Sequence, residues 1–161
     1  MCSLISDYEF YEQIGSGAYA VVVRCKHLTS GNIIAAKIYD KFKMNDSDKK
    51  KSLQQEVKIM KWLRHPKIVK LYEVIDTSWY VYLMLEYCRG KSLQDLIRSW
   101  GDKKFDENES RFLIKQLLLA IEYLHSRKIV HWDIKLENMI LNEDLNLKII
   151  DFGFSSKQTA N

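Results

Sequence analysis

His131-Trp132-Asp133-Ile134-Lys135-Leu136-Glu137-Asn138, followed thirteen residues after its last position by Asp151-Phe152-Gly153, is the stretch on which the reading of this sequence turns. The six residues from Asp133 to Asn138 include two acids, a lysine and an amide. Between the two motifs lie short apolar runs, Met139–Leu141 and Leu147–Ile150, that read as strands. Asn138 and Asp151 therefore flank a strand pair, which lets their oxygens converge on a hard cation such as Mg²⁺. Asp133 is then left to orient and deprotonate a hydroxyl, with Lys135 near a transferring phosphoryl group. A polar loop and an unrelated Asp-Phe-Gly turn would have no reason to keep this spacing.

Upstream, Asn108–Arg127 is apolar on most sides and is expected to be a long helix buried on most sides. Ser92-Leu93-Gln94-Asp95 has the form of a capped helix start. Before about Leu85 the character differs. Tyr8–Ile14, Val21–Cys25 and Ile33–Tyr39 read as strands, with a Thr-Ser-Gly-Asn turn within Leu28–Asn32. After the polar stretch Lys41–Lys51, Leu53–Leu63 has helical period. Leu53, Val57, Met60 and Leu63 share one face, and Pro66 ends the helix. Ile68–Ile75 and Tyr80–Glu86 form another strand pair across Asp76-Thr77-Ser78-Trp79. The sum is an α+β chain in two lobes joined near Tyr87–Lys91, with no internal repeat.

Two features of the first lobe admit two readings each. Gly15-Ser16-Gly17-Ala18-Tyr19-Ala20 is a GxGxxG with alanine in the third glycine place. In a dinucleotide-binding fold that motif opens a helix; here it opens the strand Val21–Cys25, which sets that fold aside. It is either an ordinary tight hairpin or a loop whose small residues let backbone N–H groups approach phosphate oxygens. Lys37 shares a strand face with Ala35 and Ile33, and Glu56 falls within the apolar stripe of the helix Leu53–Leu63. Either the two form a buried or half-buried ion pair, or each snorkels separately to water.

Composition bounds the alternatives. The 161 residues are 47% hydrophobic and 29% charged with six Gly and one Pro, which excludes disorder or low complexity as the main architecture. A net charge of +4 favours acidic ligands such as nucleotides only weakly. Lys49-Lys50-Lys51 follows Asp46 and Asp48 and reads as a solvated helix start. No aromatic–basic alternation of an RNA-binding sheet is present, so nucleic acid is not an expected partner. Cys2, Cys25 and Cys88 form neither a disulfide framework nor a CxxC pair, which points to a reducing compartment. The opening Met-Cys-Ser-Leu-Ile-Ser-Asp lacks the features of a secretory signal, and Cys2 excludes N-myristoylation. The most apolar stretch, Phe112–Leu124, contains Lys115, Gln116 and Glu122 and is too short for a bilayer span. A cytoplasmic chain with no membrane partner is expected, the nucleus not excluded.

On these motifs the sequence resembles the eukaryotic protein kinases over residues 8–157. The resemblance implies a protein-kinase-like two-lobe fold. It places an N-lobe at 8–86 (a five-stranded antiparallel sheet plus helix C), a hinge at 87–91, and a partial C-lobe at 92–161 with helices D and E, the catalytic loop and the DFG turn. By resemblance, Gly15–Val22 is the glycine-rich loop, Ala35-Ala36-Lys37 the strand-three lysine motif, Glu56 its partner acid, and Glu86-Tyr87-Cys88 the adenine-binding hinge. The implied ATP-binding residues are Ile14, Gly15, Gly17, Val22, Ala35, Lys37, Leu85, Glu86, Cys88 and Ile140, with Leu85 as gatekeeper and Val22, Ala35 and Ile140 around the adenine. Asp133, Lys135, Lys37 and Glu56 are the implied catalytic residues, and Asn138 and Asp151 the implied ligands of Mg²⁺. Met60, Leu71, His131 and Phe152 match the family's stacked spine.

Lys135 at its position is similar to serine/threonine rather than tyrosine kinases. Lys-Leu-Glu-Asn and Asp-Phe-Gly-Phe-Ser resemble the calmodulin-dependent and AMP-activated group, in which an acid at the place of Glu137 often contacts a basic substrate residue. ATP and Ser/Thr protein substrates, with a basophilic preference, are the expected partners. Ala20 in the third glycine place is expected to stiffen the loop. Trp132 stands where the family has an arginine that docks a phosphorylated activation loop, while Asp133 is retained. The sequence ends at Asn161, before an activation loop or substrate platform, so only the first half of the helical C-lobe is expected beside a complete N-lobe. In the family later helices cover the helix Asn108–Arg127, so a protein partner covering it is a further expectation. Two functions follow: an ATP- and Mg²⁺-dependent serine/threonine protein kinase, or a kinase-like module that holds nucleotide or a partner without turnover.

Overall fold

The computed structural model describes residues 5–17, 19–44, 46–101 and 104–158. Expectations that fall on Met1–Leu4 (Cys2 among them), on Ala18 or on the chain end at 159–161 lie outside the described residues. The chain divides into two compact units. The residues up to Val57 join Lys70–Tyr87, and Lys58–Val69 joins the chain from Cys88 onward.

In the first unit, β1 (Tyr8–Ser16), β2 (Ala20–His27), β3 (Ile33–Asp40), β4 (Leu71–Asp76) and β5 (Tyr80–Glu86) form a five-stranded sheet in the order β1-β2-β3-β5-β4. Every neighbouring pair is antiparallel. β3 is a central strand, in unbroken register with β2 on one side and β5 on the other. Both faces are apolar at the central strands, which is why β3 and β5 read as apolar runs rather than strict alternation. One face buries Ala35, Leu71, Leu83 and Leu85. The other holds a second cluster of Tyr8, Cys25, Ile34, Ala36, Ile75 and Met84, with Ile5 packed against it. Burial pushes the Cys25 thiol up to about 11, so it is an inert core residue.

The helix expected at Leu53–Leu63 runs from Ser47 to Trp62 (α1). Its first turn, Ser47–Lys50, is polar and carries no apolar period, so periodicity missed it; Asp46 marks the start by accepting the Asp48 N–H at 3.0 Å. The helix stops short of Pro66, at Trp62. Leu53, Met60 and Leu63 are buried as the stripe requires, and Val57 is half-buried. The boundary between the units falls within this helix.

The second unit carries α2 (Leu93–Trp100) and α3 (Glu107–Ser126). Ser92 caps α2 by accepting the Asp95 N–H at 3.0 Å. Asp106 and Glu109 cap α3 reciprocally, each side chain accepting the other's backbone N–H. Short strands complete the unit: β6 (Lys91–Ser92), β8 (Met139–Leu141) and β9 (Leu147–Ile149) form one sheet, and β7 (Ile129–Val130) pairs with β10 (Ser156–Lys157). Gly90, at φ +132°, precedes β6; a Cβ there would lie 2.1 Å from the Leu141 carbonyl oxygen, so only glycine fits. No helix among the described residues is long and apolar enough to cross a membrane.

Two expectations are corrected. The strand expected from Ile68 begins only at Leu71. Ile68 instead makes an isolated parallel bridge to Ile149, because Val69 and Lys67 exchange backbone hydrogen bonds with Ile149 at 2.9 Å each. The long helix is not buried on most sides. Only Leu113, Gln116, Ala120 and Leu124 are buried, a single stripe at helical spacing. Phe112, Ile114, Leu118 and Leu119 are between 45% and 58% exposed. Gln116 sits in the buried stripe because it donates to the Leu145 carbonyl at 2.7 Å and accepts the Leu147 N–H at 3.1 Å, tying α3 to the start of β9.

Candidate active site

Of the two readings of Lys37 and Glu56, the structure selects the ion pair. Lys37 donates to Glu56 Oε1 at 2.8 Å, with the side chains 13% and 2% exposed. β3 supplies the lysine and the buried stripe of α1 supplies the acid. A third group completes the arrangement. The hydroxyl of Tyr39 donates to Glu56 Oε2 at 2.5 Å, and the Lys37 ammonium lies 5.3 Å from the centre of the Tyr39 ring. Burial raises the Tyr39 hydroxyl well above its ordinary pKa, so it stays protonated as a donor. The sequence reading passed over Tyr39. Its signal was there: two residues beyond Lys37 on one strand, a tyrosine must share the lysine's face.

The cross-strand register gathers several expected ATP-binding residues on that same sheet face. Val22 and Leu83 flank Lys37, Leu85 lies opposite Ala35, and Gly15 lies opposite Val22. The hairpin closes through the Gly17 N–H bonded to the Ala20 carbonyl at 2.8 Å. A Cβ at Gly15 would make only ordinary contact with Val22, so that glycine is not demanded by space. Ile14 is exposed, and Glu86, half-buried, donates its N–H to the Lys70 carbonyl at 2.8 Å. Cys88 and Ile140 belong to the second unit, Cys88 half-buried and Ile140 paired with Ser92 and Lys148.

In the second unit the loop between β7 and β8 carries the polar cluster. Asp133 Oδ2 accepts from both Lys135 Nζ and Asn138 Nδ2, each at 2.8 Å. Asn138 also donates to the Asp133 carbonyl at 2.9 Å, so both amide hydrogens are spent on one residue and Oδ1 is what Asn138 has to offer a ligand. Its backbone carbonyl accepts the Ile150 N–H at 2.9 Å, which sets Asn138 beside the residue before Asp151. Asp151 adopts φ +60° and accepts the Gly153 N–H at 3.3 Å. Among the described residues no three His, Cys, Asp or Glu gather into a metal-binding group. The donor set that Asn138 and Asp151 present is hard oxygen, which suits Mg²⁺ and not a soft metal.

His131 organises this loop from beneath. It is 4% exposed, donates from Nε2 to the Ile150 carbonyl at 3.2 Å and accepts the Asp133 N–H on Nδ1 at 3.3 Å. Only the neutral imidazole satisfies both bonds. Burial lowers its pKa accordingly, against smaller upward pulls from Ile150, Asp151 and Asp133. Its ring meets Phe152 edge-on at 4.7 Å. Met60 and Leu71, expected to stack in the same spine, are each 2% exposed. Trp132 adopts φ +66° and is two-thirds exposed, its indole donating to Ser156 Oγ at 2.7 Å. The hydrogen bond of Lys135 to Asp133 raises the pKa of its ammonium.

Comparisons with known proteins agree on the family. The sequence profile of the protein kinase domain matches residues 8–161. The chain is 42% identical over 149 residues to "Serine/threonine-protein kinase SIK3 homolog" from Danio rerio, covering 92% of this chain and 12% of that protein. It is 36% identical over 156 residues to "SNF1-related protein kinase catalytic subunit alpha KIN12" from Arabidopsis thaliana, covering 97% of this chain and 31% of that protein. The chain therefore spans less than a third of either relative. A five-stranded antiparallel sheet, a buried Lys37–Glu56 pair, the loop His131–Asn138 and the Asp151-Phe152-Gly153 turn together have one explanation: this chain belongs to the protein kinase family.

Proposed function

We propose that this chain carries ATP-dependent serine/threonine protein kinase activity, transferring a phosphoryl group to a protein hydroxyl. The observation that carries this reading is the state of Asp133. Lys135 and Asn138 both bind its Oδ2, and among the described residues Oδ1 takes no hydrogen bond, so one carboxylate oxygen is left to accept a hydroxyl proton. In this reading Lys135 neutralises charge on the transferring group and Lys37, anchored by Glu56, holds nucleotide phosphates. Asn138 and Asp151 would hold Mg²⁺, which when bound supplies positive charge to the phosphates. Gly15, Gly17, Val22, Ala35, Leu85, Glu86, Cys88, Ile14 and Ile140 would receive the nucleotide. Exposed Glu137 supports a basophilic preference, which an arginine-scanning peptide library checks; equal rates across the library refute it. The reducing, cytoplasmic setting belongs to the same proposal.

The deciding experiment is transfer of label from γ-labelled ATP to a generic basic protein, with Asp133→Asn beside the unaltered chain. Label that depends on Asp133 supports the kinase. Nucleotide binding without any transfer supports the second reading, a module that holds nucleotide or a partner, which the exposed apolar face of α3 favours.

A further inference from the structure

We infer that Tyr39 is a positioning residue for the Lys37–Glu56 pair, fixing the second oxygen of Glu56 so that the Lys37 ammonium is held in one place. The inference rests on the kinase reading for its functional meaning, since it takes Lys37 as the cation that meets the phosphates. Its structural basis is independent of any nucleotide. A carboxylate that is 2% exposed has to satisfy both oxygens from within the protein. Lys37 alone would leave Oε2 stranded and the carboxylate free to rotate about its last bond. Tyr39 removes both defects, with a hydroxyl donated at 2.5 Å.

The two donors come from positions two apart on β3, a strand paired along its length on both sides. Their spacing is therefore set by the strand itself and not by flexible loops. The carboxylate of α1 is gripped at two points, and the helix cannot turn Glu56 away without breaking a charge-assisted bond and a buried hydroxyl bond together. Tyr39 is 8% exposed, and its hydroxyl also meets the Lys37 ammonium, so the bonds among the three side chains form largely out of water. A leucine or isoleucine at this position would fill the space and leave the grip single.

The test is the reactivity of Lys37 in the full chain, read by mass spectrometry after brief treatment with an amine-acylating reagent and normalised to the exposed Lys51. Tyr39→Phe keeps the ring and removes only the hydroxyl. The expected result is acylation of Lys37 about tenfold faster, the factor that losing one buried bond to a charged group produces. In a Glu56→Gln background the same substitution is expected to add nothing. Unchanged Lys37 reactivity in Tyr39→Phe overturns the inference, as does an equal acceleration in the Glu56→Gln background, which marks a packing defect or a direct action of the Tyr39 hydroxyl on Lys37. If Tyr39→Phe does not melt cooperatively, tyrosine labelled with ¹³C at the ζ position replaces it. One buried tyrosine signal is expected to move in Glu56→Gln, and a spectrum in which none moves overturns the inference. Saturating MgATP is expected to protect Lys37 in the unaltered chain. Failure of that protection overturns the kinase reading, while the comparison of variants without nucleotide still decides Tyr39.

Discussion

Two lysine–carboxylate pairs of equal length, 2.8 Å each, occupy opposite environments in this protein. Lys37 and Glu56 are 13% and 2% exposed, come from a strand and a helix nineteen residues apart, and spread their bonds over both carboxylate oxygens. Lys135 and Asp133 are 47% and 23% exposed, lie two residues apart on one loop, and crowd every side-chain bond onto Oδ2. The difference teaches what each pair can do. A buried carboxylate with both oxygens taken is a fixture: stripping away its donors strands its charge out of water, so the arrangement is costly to break. A carboxylate that is 23% exposed, with its side-chain bonds gathered on one oxygen, keeps the other oxygen open to a further donor. Distance alone does not distinguish the two; burial and the allocation of lone pairs do.

The sharpest way to break this contrast is Asp133→Asn. It is expected to lower phosphoryl transfer about a thousandfold, the range of a lost general base, while calorimetry finds the melting temperature unmoved. A collapse in stability would put Asp133 with the buried pair after all. Next in size, Glu56→Ala removes the buried carboxylate that binds both the Lys37 ammonium and the Tyr39 hydroxyl and is expected to remove about 3 kcal/mol of unfolding free energy in urea titrations. A loss no greater than that of Asp133→Asn would erase the distinction.

A smaller effect comes from His131, which is neutral in the folded state. Its folded pKa is lowered by burial below the ordinary 6.5. The unfolded chain therefore takes up a proton first as pH falls. His131 adds stability that is complete above about pH 6.5 and is lost progressively as pH drops toward the folded value. His65, lowered in the same direction by burial and by Lys67, Lys148 and Arg127, acts alike. Melting temperature against pH is expected to fall below about pH 6.5, and more gently in His131→Phe. Identical slopes in the two proteins would deny His131 its neutral role beneath Asp133. Smallest is the response to salt. Raising ionic strength from about 0.1 M to about 1 M shortens the screening length from about 10 Å to about 3 Å. Screening Asp133 lets the raised pKa of Lys135 relax, so acylation of Lys135 is expected to rise about twofold. The rate at Lys37 is expected to stay constant, and parallel responses would mean the two pairs feel the same solvent.

The order of strands and helices was legible because β-branched runs, the Leu53–Leu63 stripe and the cap at Ser92 each carry their own local signal. The pairing of Lys37 with Glu56 was half legible: a charge on an apolar face needs a partner or a route to water, and only the structure chose between them. What escaped was decided by tertiary contacts. Ile68 reads as strand, but backbone bonds to Ile149, eighty-one residues on, hold it in a bridge. β7 and β10 are two residues each, too short for any periodicity, and exist because they pair. Apolar content on several faces of α3 states that those faces avoid water, not that the described residues cover them. Tyr39 was missed for a different reason: a tyrosine on a core strand reads as filler until the hydroxyl's partner is known.

Gly90 has a consequence for heredity rather than for chemistry. At most positions a missense change trades one side chain for another and selection weighs the difference. Here any side chain at all begins with a Cβ set 2.1 Å from a carbonyl oxygen of β8, the strand that leads out of the Asp133 loop. Every such variant is expected to injure the fold, whatever the chemistry of the new residue. A survey of natural variants of this gene should therefore find the codon for Gly90 varying only in its silent base.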